Sequence, residues 1–172
     1  VEDRAPAYGT AANALTARYL RGAADDARGA PRPERLARRT RGFARMGSLV
    51  SDRALAWARG QEESHRERIG ELFRDHEVLL TPTTAQPPVK AAQWEGLSAA
   101  RTFLDLARTY PYTALWNMTG QPACSVPAPP GDDGLPLGAQ LVGRVGDEAT
   151  LLSLAAQLEA ELGWPARRPP VS

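Results

Sequence analysis

Apolar residues recur at intervals of three or four over most of the chain, which predicts amphipathic helices. Ser51, Ser98 and Asp147 each precede such a series and are residue types that favour the N-cap position. Pro111 ends the helix that follows Ser98. Together these signals predict helices over about residues 8–22, 34–47, 52–75, 98–110 and 147–162, with a glycine- and proline-containing linker over 22–33.

Three short, unbroken apolar runs lack helical spacing and predict β-strands over 78–81, 123–127 and 137–142. A turn of glycine and aspartate at 131–134 separates the last two, a spacing that also fits an antiparallel hairpin. Strands that alternate with helices are typical of an α/β fold, here predicted as a mixed β-sheet covered by helices. Three short strands are too few to cover so many apolar helix faces, which indicates that a further segment completes the sheet.

The composition is that of a soluble globular protein, with 42% hydrophobic and 24% charged residues among 172. The formal net charge of +1 gives no electrostatic reason to expect a nucleic acid or a membrane as partner. No apolar stretch approaches the roughly 20 residues of a membrane span, and no signal-peptide pattern opens the chain. The single cysteine, Cys124, provides neither an internal disulfide nor a metal framework. These observations predict a cytoplasmic protein without a cofactor or a metal.

Three blocks between residues 77 and 159 carry a resemblance to a known family. They read EVLLTPTTAQPP at 77–88, YTALWNMTGQPACSVPAP at 112–129, and GLPLGAQLVG followed by GDEATLLSLAAQLE over 134–159. In order and spacing they resemble the C-terminal core of the amidase signature family, although that family commonly has Asp in place of Glu77. The closing residues 168–172 also resemble a terminus of such proteins. The resemblance implies an amidase signature fold, with residues 1–172 as the C-terminal portion of a single domain; because Val1 is not preceded by methionine, we expect a longer protein.

The resemblance also implies a catalytic apparatus that has no match in this sequence. Family members use a serine nucleophile that a second serine and a lysine activate, because an unassisted serine hydroxyl attacks amides poorly. The Gly/Ser-rich segment that carries the serines is missing, and the only lysine, Lys90, lies in a proline-flanked loop without a paired serine nearby. We therefore assign no catalytic residue here and expect the catalytic residues upstream.

The resemblance implies that the TPT loop and the segment before the TGQP sequence lie near the substrate cleft. Ligands of open α/β sheets gather at the carboxyl ends of strands, which is where the TPT sequence stands. The residues predicted on this basis to line the pocket are Thr81, Pro82, Thr83, Trp116 and Asn117. The predicted function of the complete enzyme is hydrolysis of a small-molecule carboxamide to a carboxylic acid plus ammonia or amine, by Ser-based acyl transfer.

Two other functions stay open on the sequence alone. A basic run over 28–45, with Glu34 as its only acid, would suit the corresponding portion of a tRNA-dependent amidotransferase, but a solvated helix face explains it more simply. A non-catalytic module that binds a partner chain would explain the missing serine and lysine apparatus. The sequence does not determine the oligomeric state, and a homodimer is one option.

Cys124 beside Ser125 suggests a thiol nucleophile, with His65 or His76 as its base. A lone cysteine within an apolar strand is more often a small core residue, and this interpretation is favoured here. The two histidines have no further ligand at metal spacing, so no zinc site is predicted.

Overall fold

The computed structural model describes residues 2–3 and 8–166. The segment 168–172, which belongs to the family resemblance, lies outside the described residues. The helices are α1 (Ala11–Gly29), α2 (Arg38–Ser48), α3 (Asp52–Gly60), α4 (Glu62–Gly70), α5 (Ala99–Thr109), α6 (Ala114–Thr119) and α7 (Glu148–Leu162), and the strands are β1 (Val78–Pro82), β2 (Ala123–Ala128) and β3 (Leu137–Gly143). Short 3-10 turns occupy Pro33–Arg35, Glu71–Arg74 and Trp164–Ala166.

The strands form one sheet in the order β1-β3-β2. The predicted α/β fold, a sheet covered by helices, is confirmed. Both pairings are antiparallel, and β2 and β3 pair as the hairpin alternative required. No parallel pairing occurs among the strands of the described ranges. Because β3 is central, the register places Gln140 opposite both Thr81 of β1 and Ser125 of β2.

The two faces of the sheet pack against different helices because successive side chains along a strand point in opposite directions. Val142 faces a core built from α1, α3, α4 and α6 that includes Ile69 and Trp116. Leu141, its neighbour in sequence, faces the opposite side and packs with Leu151 of α7. The sheet thus lies between a thick helical layer and the single helix α7.

The predicted helix starts with strong capping residues are confirmed. The hydroxyl groups of Ser51 and Ser98 each accept a hydrogen bond from the backbone N–H three residues ahead, at 3.2 Å. The Asp147 carboxylate accepts from the Thr150 hydroxyl at 2.7 Å. These side chains satisfy N–H and hydroxyl donors that the first helical turn leaves without partners.

The linker predicted over 22–33 is wrong for residues 22–29, because α1 continues to Gly29. Ala24 is buried where α1 packs against α2. Arg21 and Arg28 both form ion pairs with Asp25 at helical spacing. Packing against α2 therefore outweighs the weak helix propensity of Gly22.

The sequence pattern does not predict α6, because its side chains are buried on nearly all sides and no polar face marks the period. Gly120, in the left-handed conformation with φ of 77°, ends this helix. The helix predicted over 52–75 is divided at Gln61, next to the weak helix former Gly60, and its end is a 3-10 turn. No helix in residues 8–166 has the length and apolarity needed to cross a bilayer.

Candidate functional site

The end of β1 forms a small polar cluster with the two other strands. Thr81 and Pro82 are the last residues of β1, and Thr83 follows immediately. The Thr83 backbone N–H donates to the Gly138 carbonyl at 3.0 Å, and its hydroxyl lies 2.7 Å from the hydroxyl of Ser125. The TPT sequence is thus attached to both β3 and β2.

Gly138 allows this close approach of the strands. A Cβ atom at this position would lie 2.9 Å from both the Ser125 Oγ and the Thr83 Oγ1. Carbon and oxygen atoms do not pack so closely, so a larger residue would push the two hydroxyl groups apart. The glycine is therefore part of the geometry that joins Thr83 to Ser125.

The loop beyond the TPT sequence is held on its other side by α5. The Ala85 backbone N–H donates to the Thr109 carbonyl at 3.0 Å, and the Gln86 side-chain amide donates to the Thr109 hydroxyl at 2.7 Å. Thr109 is buried at the end of α5. Residues 83–86 are therefore fixed between the sheet and α5.

The two predicted pocket residues on α6 occupy different environments. Trp116 is only 3% exposed and belongs to the helical core with Leu115 and Ile69. Asn117, the next residue, is exposed and lines a groove between α1, α5 and α6. Of the two, Asn117 is the one whose side chain is open to a ligand.

This groove has a volume of about 730 Å³, within the usual range for small-molecule sites. Its walls are mostly apolar and partly aromatic, with a few polar groups at the edges. They comprise Ala12, Leu15, Thr16, Arg18, Tyr19, Phe103, Leu106, Ala107, Tyr110, Pro111, Thr113, Ala114, Asn117 and Met118. The groove includes Asn117, whereas Thr81, Pro82 and Thr83 belong to the polar cluster at the sheet.

Sequence reasoning missed two members of that cluster, Gln140 and Ser125. Gln140 is 5% exposed, and its side-chain amide donates to the Thr81 hydroxyl and to the Tyr112 carbonyl, both at 3.0 Å. The available signal was a single amide side chain inside the apolar strand sequence GLPLGAQLVG. A buried amide in such a strand requires hydrogen-bond partners, and these could have been sought on the neighbouring strands.

Cys124 forms no pair with a histidine of the described ranges. The cysteine packs on the face of the sheet that α7 covers, whereas His65 is buried on α4 in the layer beyond the other face. Burial raises the pKa of the Cys124 thiol, so the thiol stays protonated near neutral pH and is a poor nucleophile. The interpretation of Cys124 as a core residue agrees with this packing.

Lys90 and the basic run offer no catalytic arrangement within the part of the chain that the structure describes. Lys90 is exposed, and its ammonium group has no hydrogen-bonded or ionic partner within residues 8–166. Arg39 donates to the Trp94 carbonyl at 2.9 Å, and Arg41 donates to the carbonyl of Glu34 at 3.2 Å. These arginines thus fasten neighbouring loops. The described residues contain no group of three or more His, Cys, Asp or Glu side chains that could hold a metal.

Comparisons with known proteins agree on one family. The family model named Amidase matches residues 7–152. The Mycobacterium tuberculosis protein named "Putative amidase AmiB2" is 46% identical over 155 residues, which are 90% of this chain and 34% of that protein. This chain thus spans about one third of the length of that relative.

A second group of relatives is named for a particular hydrolysis. The 6-aminohexanoate-cyclic-dimer hydrolase of Paenarthrobacter ureafaciens is 40% identical over 109 residues, 60% of this chain and 22% of that protein. A solved structure of 6-aminohexanoate cyclic dimer hydrolase has a TM-score of 0.78 at 25% identity, covering 99% of this chain and 39% of that one. By sequence match over most of its length and by fold, this chain belongs to the amidase signature family.

Proposed function

We propose that residues 1–172 are the C-terminal portion of an amidase that hydrolyses a small-molecule carboxamide to a carboxylate plus ammonia or an amine. The observation that carries this proposal is the 46% identity over 90% of the chain to an amidase relative of which it spans only 34%. An enzyme of that length has room for a nucleophile outside the segment matched here. We call the full-length product of the reading frame that encodes this chain the complete enzyme.

The proposed reaction is acyl transfer through a serine ester. A serine Oγ outside residues 1–172 attacks the amide carbonyl carbon, and the C–N bond breaks as the leaving nitrogen takes up a proton. Water then attacks the ester carbonyl, which releases the carboxylate and restores the serine. Backbone N–H groups would stabilise the oxyanion at each step.

Within this proposal the present segment supports and shapes the pocket. Thr81, Pro82, Thr83, Trp116 and Asn117 remain predictions as pocket-lining residues. The apolar walls of the groove beside Asn117 favour an amide with an apolar chain over a charged one. A cytoplasmic location and a homodimer likewise remain predictions.

The test compares residues 1–172 alone with the complete enzyme in the hydrolysis of a series of linear and cyclic amides, followed by release of ammonia or amine. We expect the complete enzyme to hydrolyse at least one apolar amide, and residues 1–172 alone to hydrolyse none. Hydrolysis by residues 1–172 alone, at the rate of the complete enzyme, would show that the nucleophile lies inside this segment.

A further inference from the structure

Gln140 joins two parts of the predicted pocket that are far apart in sequence. Its side-chain nitrogen donates to the Thr81 hydroxyl and to the Tyr112 carbonyl, each at 3.0 Å. Thr81 is at the end of β1, and Tyr112 is just before α6, which carries Asn117. Because a backbone carbonyl can only accept, the second contact fixes which end of the amide is the nitrogen.

The amide is not needed to fill the space it occupies. Neighbouring positions of β3 are apolar, and Leu141 and Val142 are buried beside Gln140. An apolar side chain of similar size would fill this space equally well. It would also avoid the free-energy cost of burying an amide, which only hydrogen bonds offset. A buried amide with two directed hydrogen bonds instead fixes the relative position of the groups it contacts.

We propose that Gln140 is a positioning residue that holds the TPT end of β1 against the segment that leads into α6, and so fixes the predicted pocket residues on these two elements relative to one another. This inference rests on the proposed amidase function. The contact between Thr83 and Ser125, at 2.7 Å, fixes the next residue of the same loop to β2. Gln140 supplies the link from this sheet end to α6.

The test uses the complete enzyme with four variants. Gln140→Met removes both donors while keeping a long side chain, and Thr81→Val removes one acceptor without changing the shape of the side chain. Thr81→Ser keeps the hydroxyl and serves as the conservative rescue. Gln157→Met makes the same chemical change as the first variant, at an exposed position on α7.

Three measurements are made on each variant: kcat and KM for amides of increasing acyl size, thermal unfolding, and backbone hydrogen exchange over residues 83–86 and 112–118. We expect Gln140→Met and Thr81→Val to lower kcat/KM by roughly ten- to a hundredfold and to change the order of preferred acyl groups, since small misplacements of a pocket carry such penalties. Exchange over both segments should rise in the same two variants. Gln157→Met should match the parent enzyme, and Thr81→Ser, which keeps the hydroxyl acceptor, should lose less activity and protection than Thr81→Val.

The positioning role is overturned if Gln140→Met keeps the parent order of acyl preference and parent exchange over both segments, whatever its unfolding temperature. It is also overturned if activity falls only in proportion to the unfolded fraction, because that pattern describes a purely structural residue. Failure of the amidase proposal is recognised separately: the parent enzyme would hydrolyse no amide, while the hydrogen-exchange comparison would still decide whether Gln140 joins the two segments.

Discussion

Replacing Gly47 by alanine is expected to lower the free energy of unfolding by about 3 kcal/mol, at the upper end of the range for overpacked interiors. Gly47 lies on α2 at its contact with α1. A Cβ atom there would be 1.8 Å from the Leu20 carbonyl oxygen and 2.6 Å from its carbonyl carbon. These are backbone atoms of α1, so no side-chain rotation relieves the overlap. The two helices must separate, which also disturbs α1 where it lines the groove.

Thermal unfolding of the purified protein measures this effect, and a loss of about 3 kcal/mol corresponds to a fall in Tm of roughly 6–12 °C for a protein of this size. Gly22→Ala is the matched control, because Gly22 is inside α1 and a Cβ there meets no atom within 4 Å. Alanine is the better helix former, so the control should gain about 0.5–1 kcal/mol. Equal Tm values for the two variants would contradict the close packing of α1 on α2.

Replacing Trp116 by alanine is expected to cost about 3–5 kcal/mol of folding stability, the usual range for removing a large buried aromatic side chain. The indole is 3% exposed and packs within the core that joins α6 to the sheet. Trp57→Ala provides the control, because Trp57 is 43% exposed and its removal gives up less buried apolar surface, so it should cost clearly less than Trp116→Ala. Chemical denaturation of both variants gives the comparison.

The stability of Trp116→Ala also decides how kinetic data on Trp116 variants are interpreted. If Trp116→Ala unfolds the enzyme, changes in its acyl preference cannot be assigned to contact with the substrate. Trp116→Phe keeps most of the ring, and the indole N–H that it removes has no hydrogen-bond partner among the described residues. Trp116→Phe is therefore the variant for testing a role in the pocket. A Trp116→Ala protein as stable as Trp57→Ala would contradict the placement of Trp116 in the core.

The elements that sequence analysis predicted are those with local chemical signals. Ser51 and Ser98 mark helix starts because a capping hydroxyl satisfies N–H groups only three residues away. The last turns of α1 could not be predicted, because helix formation beyond Gly22 depends on contact with α2, distant in sequence. The short α6 could not be predicted either, because it is buried on most sides and lacks an amphipathic period.

The candidate site likewise has residues that the sequence predicts and residues whose role depends on the tertiary structure. The resemblance placed the TPT sequence at the end of a strand, and Thr81 and Pro82 are the last residues of β1, beside a polar cluster. Gln140 escaped notice because its importance depends on strand order: only a central β3 brings its amide between β1 and the segment before α6. The burial of Trp116 likewise depends on how α6 docks on the core, which a single sequence does not specify.

The location of the nucleophile is the central claim of this account, and covalent labelling measures it directly. The complete enzyme would be treated with a fluorophosphonate that modifies activated serines, digested, and mapped by mass spectrometry. We predict one labelled serine outside residues 1–172, with loss of amide hydrolysis in proportion to labelling. A label on Ser125, or on any other serine within residues 1–172, would contradict the account.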